Sequence, residues 1–279
     1  MCQALKVSTS GYYKWLKQQS SPLSDKEKYR LEVQQKISKS FHESLGTYGS
    51  PRVHADLIDW GFIISQKTVA RIMSEMGLKA IQEEKFVVTT DSNHDFNIYP
   101  NVLDRQFNVE EPNQVWVTDI TYIWTLEGWV YLSSVMDLFS RKIVGWSLDS
   151  HMKKELSIQA LKMAIIQRQP GKGVIHHSDR GSQYCSHEYI DILKGNEMQI
   201  SMSKKGDPYD NACIESFHAT LKKELIYRRR FKTKAEAIKA VNYYISCIYN
   251  ERRRHSTLGN ISPNQFERNH QQNEVESIS

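Results

Sequence analysis

The chain has 279 residues, room for roughly two domains with a buried core. Hydrophobic residues at 39% and charged residues at 25% exclude a wholly disordered chain, and no apolar run is long enough to span a bilayer. The net charge of +5 hints at a polyanionic partner without establishing one.

The start, Met1-Cys2-Gln3-Ala4-Leu5-Lys6, lacks the apolar stretch of a signal peptide, so a cytoplasmic protein and no membrane partner are expected. Residues 1–80 read as a helical module. Ser24 is placed to cap a helix over Asp25–Ser40, and a second runs from about Pro51 to Trp60. After the break at Gly61-Phe62, Ser65 offers a cap for Gln66–Met76, closed by Gly77. In that third helix Val69, Ile72, Met73 and Met76 form an apolar stripe, leaving Gln66, Lys67, Thr68 and Arg71 outward. This is the outline of a DNA-reading helix-turn-helix, with Lys67 and Arg71 as its candidate DNA contacts. A plain helical bundle fits the same pattern.

Residues 81–112 lose periodicity and gather turn formers, from Asp91-Ser92-Asn93 to Pro112, and read as a linker. Then the pattern changes. Val115–Trp124, Trp129–Phe139 and Lys142–Leu148 are rich in β-branched and aromatic residues and separated by short breaks, which predicts an antiparallel meander. A helix over Lys153–Gln169, a strand at Gly173–Ser178, a helix at His187–Lys194 and a strand at Gln199–Met202 follow. Two long helices, about Asn211–Tyr227 and Thr233–Glu251, complete an α/β core over 113–267, a mixed sheet flanked by helices. Residues 268–279 are expected to form a flexible tail.

Three carboxylates stand out by position. Asp119 interrupts the apolar strand Val115-Trp116-Val117-Thr118-Asp119-Ile120, where a charge is costly unless paired or bound to a metal. Asp179 follows directly on a strand, at its carboxyl end; a turn-forming Asp ahead of Gly181 is the plainer reading of that position alone. Glu215 shares a polar helical stripe with Asn211, His218 and Lys222, beside the apolar stripe of Ile214, Phe217, Leu221 and Leu225. Carboxylates aimed at one point from different elements suit a pair of hard divalent ions and phosphoryl transfer. From Lys222 to Arg254, eleven Lys/Arg face three acids, with tyrosines interleaved, which suggests contact with a phosphate backbone.

Here the residues meet a family. Trp116-Val117-Thr118-Asp119-Ile120-Thr121-Tyr122 resembles the first-strand motif of bacterial insertion-sequence transposases with an integrase-type core. His177-Ser178-Asp179-Arg180-Gly181-Ser182-Gln183-Tyr184 is similar to their second motif, and Asp210-Asn211-Ala212-Cys213-Ile214-Glu215-Ser216-Phe217 with Leu221-Lys222-Lys223-Glu224 to their third. Asp179 and Glu215 have 35 residues between them, the separation expected of the group. Tyr249-Asn250-Glu251-Arg252-Arg253-Arg254-His255, then Leu258 and Ser262-Pro263, resembles the closing segment. The likeness spans roughly Tyr48 to Phe266 and is nearest to the second-frame (OrfB) product of two-frame elements.

The resemblance implies a ribonuclease-H-like fold and a DDE-type active site, with two Mg²⁺ or Mn²⁺ ions on Asp119, Asp179 and Glu215 and no covalent protein–DNA intermediate. It implies a nucleoid-associated enzyme that cleaves and joins double-stranded DNA, both element terminal repeats and target, as a homo-oligomer assembled on that DNA. Lys222 is expected near the scissile phosphate, with Lys223, Asn211, Arg180, Arg252 and Arg253 as further DNA contacts. The start at Met1 lacks the longer helix-turn-helix and heptad segment of a frameshifted transposase, so a partnership with the upstream-frame protein is also expected. A non-catalytic DNA-binding regulator is the alternative reading, and retention of all three acids argues against it.

Other candidates have simpler readings. His176 and His177 are adjacent in a strand and point to opposite faces, which makes a shared metal difficult and suits a structural role. Asp137, Asp207 and Asp210 fit turn and capping roles, Asp137 being the strongest rival for a fourth carboxylate. The four cysteines form no CxxC pair and read as reduced thiols.

Overall fold

The computed structural model describes residues 8–20, 22–80, 97–204 and 208–278. The first half of the expected linker, 81–96, together with Cys2 and Asp207, lies outside the described residues. The chain divides into two compact units, 1–81 and 82–279.

The first unit holds α1 (Thr9–Ser20), α2 (Asp25–Glu43), α3 (Ser50–Asp59) and α4 (Gln66–Glu75). Both expected caps are present: Ser24 forms a capping box with Glu27, and the Ser65 side chain accepts from the Thr68 N–H. Val33 and Ile37 of α2, Val53 and Leu57 of α3, and Val69, Ile72 and Met73 of α4 close one small core. Gly61, at φ +83°, makes the tight turn out of α3 that redirects the chain towards α4. The face of α4 left outside that core carries Gln66, Lys67, Ala70, Arg71 and Ser74.

The second unit is built on β1 (Val115–Thr125), β2 (Gly128–Asp137), β3 (Ile143–Asp149), β4 (Ile175–Ser178) and β5 (Gln199–Met202), in the order β3-β2-β1-β4-β5. The meander β1–β2–β3 is antiparallel, and β4 and β5 add in parallel beside β1. The helices are α5 (Lys154–Arg168), the short α6 (Ser182–Cys185), α7 (His187–Gly195), α8 (Ala212–Glu224), α9 (Lys234–Tyr243) and α10 (Pro263–Ile278). This is the expected mixed sheet flanked by helices. Alternating β1 side chains enter two cores: Val115, Val117 and Ile123 pack with Phe217, Leu221 and Val241, while Trp116 packs with residues of α5 and α7. On the α5 side the close approach rests on Gly145, where a Cβ would overlap the Ala160 carbonyl.

Two expectations fail in instructive ways. The helix expected to run to Glu251 turns into a π-helical segment at Tyr244–Tyr249, which buries both tyrosines. Asn250 then leaves the helix to pair with the β3 backbone, accepting from Ile143 N–H at 3.0 Å and donating to its carbonyl at 2.9 Å. The expected flexible tail from 268 is the continuation of α10 through Ile278. Its anchor precedes it: Glu267 is buried and ion-paired to Lys142 and Arg168, both at 2.9 Å.

Candidate active site

The parallel pairing of β1 with β4 aligns Val117 with His177, which brings the middle of β1, where Asp119 lies, beside the carboxyl end of β4, where Asp179 follows. Asp119 Oδ1 accepts from the Ile120 N–H at 2.8 Å, and its Oδ2 lies 3.3 Å from His218 Nδ1 on α8. The other nitrogen of His218 lies 3.2 Å from Ser134 Oγ on β2. His218 is thus buried between β1 and β2, within reach of the Asp119 carboxylate. Sequence reading placed His218 on the polar stripe and gave it no role; its signal was the spacing of three residues from Glu215.

Asp179 lies just beyond β4, in a turn where its Oδ1 accepts the Gly181 N–H at 2.8 Å. Any Cβ at Gly181 would stand 3.0 Å from that same oxygen and press on Gln183. Tyr184, fully buried, reports on both aspartates: burial raises its pKa first, and the charges of Asp119 and Asp179 raise it further. Glu215, on the outer side of α8, has its pKa raised by desolvation and then by the Asp119 charge. Asp119 is therefore electrostatically coupled to Glu215 and shares the Tyr184 environment with Asp179. The three sets of carboxylate oxygens do not close to within 4.8 Å of one another. Like charge opposes a closer approach.

Lys222 is buried, with its Nζ 4.5 Å from the centre of the Tyr122 ring. Burial lowers its pKa while Asp119 opposes the shift, which places it in the same field as the acids. Arg180 Nε donates to the Ser203 carbonyl at 2.8 Å. Lys223 is partly buried, and Lys67, Arg71 and Arg252 are exposed. Arg71 also pairs with Glu75 at 3.0 Å, an acid it shares with Arg30 at 2.7 Å.

Two expected DNA contacts have partners within the protein. Arg253 is buried against Glu224, with Nη2 to Oε1 at 2.9 Å, and its side chain is spent on that acid. Asn211 is buried at the start of α8 and donates to the Thr118 carbonyl at 3.0 Å, fixing the helix beside β1. Both side chains fasten α8 to its neighbours.

The remaining candidates take structural roles. His176 Nε2 meets Tyr189 Oη at 3.1 Å and His177 Nδ1 meets Ser201 Oγ at 2.8 Å; burial pushes their pKa values down to about 3 and about 4. Asp137 accepts from the Asn113 and Phe139 N–H groups and pairs with Arg168 at 2.9 Å. Asp210 binds Arg105 Nε at 2.8 Å and Asn101 Nδ2 at 2.9 Å, tying the segment before α8 to the strand-side loop. Elsewhere, Glu111, His270 and Glu274 offer ligand atoms within 4.8 Å of one another, a second group able to hold a cation. No helix among the described residues is long and apolar enough to cross a membrane.

Comparison with known proteins agrees with this arrangement. Residues 109–208 and 196–263 match two family models, each described as an integrase core domain, and residues 28–86 match an HTH-like domain. The chain is 42% identical over 98% of its length to an insertion element IS600 31 kDa protein of Shigella sonnei, covering 99% of it. It is 40% identical to the transposase InsF for insertion sequence IS3A of Escherichia coli, over 96% of this chain and 92% of that one. Among solved structures, the HTLV-2 integrase catalytic core in complex with magnesium is 17% identical, with TM-score 0.43, covering 56% of this chain and 96% of that chain. A simian T-cell lymphotropic virus intasome is 14% identical with TM-score 0.44, covering 75% of this chain and 68% of that chain.

Proposed function

The chain belongs to the insertion-sequence transposases with an integrase-like, DDE-type catalytic domain, and from that premise we propose that Asp119, Asp179 and Glu215 are the residues that carry its DNA cleavage and strand transfer. The observation that supports the assignment is the placement of Asp119 on β1 beside the end of β4 that leads to Asp179, with the Asp119 charge acting on Glu215 of α8.

The donor set suits hard divalent ions. Three carboxylates offer only oxygens, and desolvation followed by the Asp119 charge raises the pKa of Glu215, an environment in which a cation would favour the ionised form. Asp119, Asp179 and Glu215 would hold two Mg²⁺ or Mn²⁺ ions, which when bound activate the attacking oxygen and stabilise the leaving one. The chain's own residues do the placing. His218 fixes the Asp119 carboxylate, Asn211 pins the start of α8 to β1, and Lys222 presents a cation to a phosphate entering beside Tyr122. Water and then a DNA 3′-hydroxyl serve as nucleophiles, without a covalent link to protein.

In the first unit, Lys67 and Arg71 on the outer face of α4 meet double-stranded DNA at the element ends. Arg180, Lys223 and Arg252 add backbone contacts. Joining two ends to a target calls for more than one copy on the DNA, with the upstream-frame product as a further partner and the nucleoid as the place of action. The division of labour is a reading unit within 1–81 and a catalytic unit within 82–279.

The test is to incubate the purified chain with its own element's ends and Mg²⁺. The expected result is metal-dependent cleavage at the 3′ ends followed by joining to target. Specific binding with no cleavage under any divalent ion would make the chain a regulator instead. Within that assay Lys222→Ala should impair joining more than Lys223→Ala, although each removes one charge; equal small effects would deny Lys222 a special place.

A further inference from the structure

The far end of the β1–β2 hairpin carries aromatic rings that neither core takes up. Trp124 and Trp129 face one another across the strands, edge to face, with centroids 4.8 Å apart. Trp129 also meets Tyr122 edge-on at 5.1 Å. Trp124 remains 55% exposed and Trp129 42%. Rings of this size are ordinarily buried, and a cluster left in solvent marks a surface that meets something.

Two features say what it meets. The hairpin turn is fastened to the chain that follows α8: the Leu126 N–H donates to the Phe231 carbonyl at 3.1 Å, and the Lys234 N–H donates to Glu127 at 2.8 Å. Phe231 is buried, so the exposed cations around it, Arg228, Arg229, Arg230 and Lys232, are held close to the aromatic end. The second feature is continuity with the acids. Lys222 stands over Tyr122 and belongs to the helix that carries Glu215. Among the described residues the β1–β4 ladder ends at Val117 and His177, so from Asp119 onward this side of β1 has no strand beside it. Along that side the Asn211 amide, Lys222 and the Phe231 carbonyl line the chain from Thr118 to Leu126, so the segment that carries Glu215 runs from the acids to the rings.

We infer that Trp124 and Trp129, with Tyr122 beneath Lys222, form a stacking platform for unpaired nucleobases of the DNA strand next to the scissile phosphate. The inference rests on the proposed catalytic role of Asp119, Asp179 and Glu215. Exposed rings beside cations suit single-stranded nucleic acid, because every base offers a π face while the cations track the backbone. A fully paired duplex keeps those faces inside. Trp124 lies five residues beyond Asp119, about 17 Å along a strand and on the opposite face of the sheet, with Lys222 over Tyr122 at the edge between them. That distance equals about five base steps at roughly 3.4 Å each, so the bases received are the first few from the cleavage point.

The test uses the full chain in EDTA, so that no strand is cut. Two versions of the element end are titrated, one fully paired and one with its last four positions mismatched, each carrying 2-aminopurine there. The mismatched end should bind about tenfold more tightly than the paired one, with quenched fluorescence. In Trp124→Ala/Trp129→Ala both effects should vanish while affinity for the paired end stays within about twofold; Trp124→Phe/Trp129→Phe should keep them. Equal affinity for the two ends, or quenching that survives the alanine pair, overturns the inference. So does an alanine pair that alters only sedimentation of the free protein, which would make the face a contact between copies. Mg²⁺-dependent cleavage of the paired end, measured separately, reads the acids, so platform and active site can fail independently.

Discussion

Glu224 sits in the interior with two partners: Arg253 pairs with it through Nη2 at 2.9 Å, and Tyr244 Oη donates to it at 2.6 Å. Removing one member of such a pair strands a buried charge, at a cost of about 3–5 kcal/mol. Arg253→Ala should therefore lower unfolding stability by that amount in urea titration, while exposed Arg252→Ala stays within about 0.5 kcal/mol. Equal losses would show that the Glu224 pair contributes no more than a surface charge. Three consecutive arginines look alike in sequence; only the position of Glu224 on α8 separates them, and that is a long-range fact. Glu215 presents the opposite case. Its raised pKa means that the folded state holds the proton longer than the unfolded chain, so stability is highest in acid and declines as pH rises through the raised value. Glu215→Gln should remove that decline and leave the protein slightly more heat-stable at neutral pH, by less than about 3 °C. A lower Tm in the glutamine variant would refute the reading that desolvation and the Asp119 charge disfavour ionised Glu215.

Elements differ in how much of them is written locally. The meander was legible because β-branched runs separated by short breaks pair with their neighbours, and the caps at Ser24 and Ser65 are chemistry within a single turn. The π-helical segment at Tyr244–Tyr249 and the extent of α10 were not. The first depends on Tyr249 packing against Phe217 at 4.7 Å, and the second on Glu267 meeting Arg168 from a distant helix. Gly145 is another long-range fact, since its need appears only once α5 lies across β3. Gly145→Ala should force the Ala160 and Ala164 backbone outward and cost about 1–3 kcal/mol or more. Because α5 covers the face opposite α8, the loss should appear in unfolding while Mg²⁺-dependent cleavage by the remaining folded protein persists. An alanine variant as stable as the parent would mean that α5 does not approach as closely as described.

At the scale of the whole molecule, the three candidate acids stand out in sequence by the family's spacing, whereas their mutual placement needed the parallel β1–β4 pairing. The two units also predict separable defects. Lys67→Ala with Arg71→Ala should reduce discrimination of element ends from random DNA by about tenfold or more, in competition binding, with catalysis on bound DNA unchanged. Unchanged discrimination would assign the α4 face to something other than DNA reading. The central claim concerns the three acids, and it is tested most directly by Asp119→Asn, Asp179→Asn and Glu215→Gln, each assayed for cleavage of element ends in Mg²⁺ beside a binding titration. Each amide keeps the shape and loses the charge that a divalent ion requires. The account predicts loss of cleavage and joining in all three, with DNA affinity close to that of the parent chain. Cleavage at the parental rate in any one of them would remove that residue from the active site.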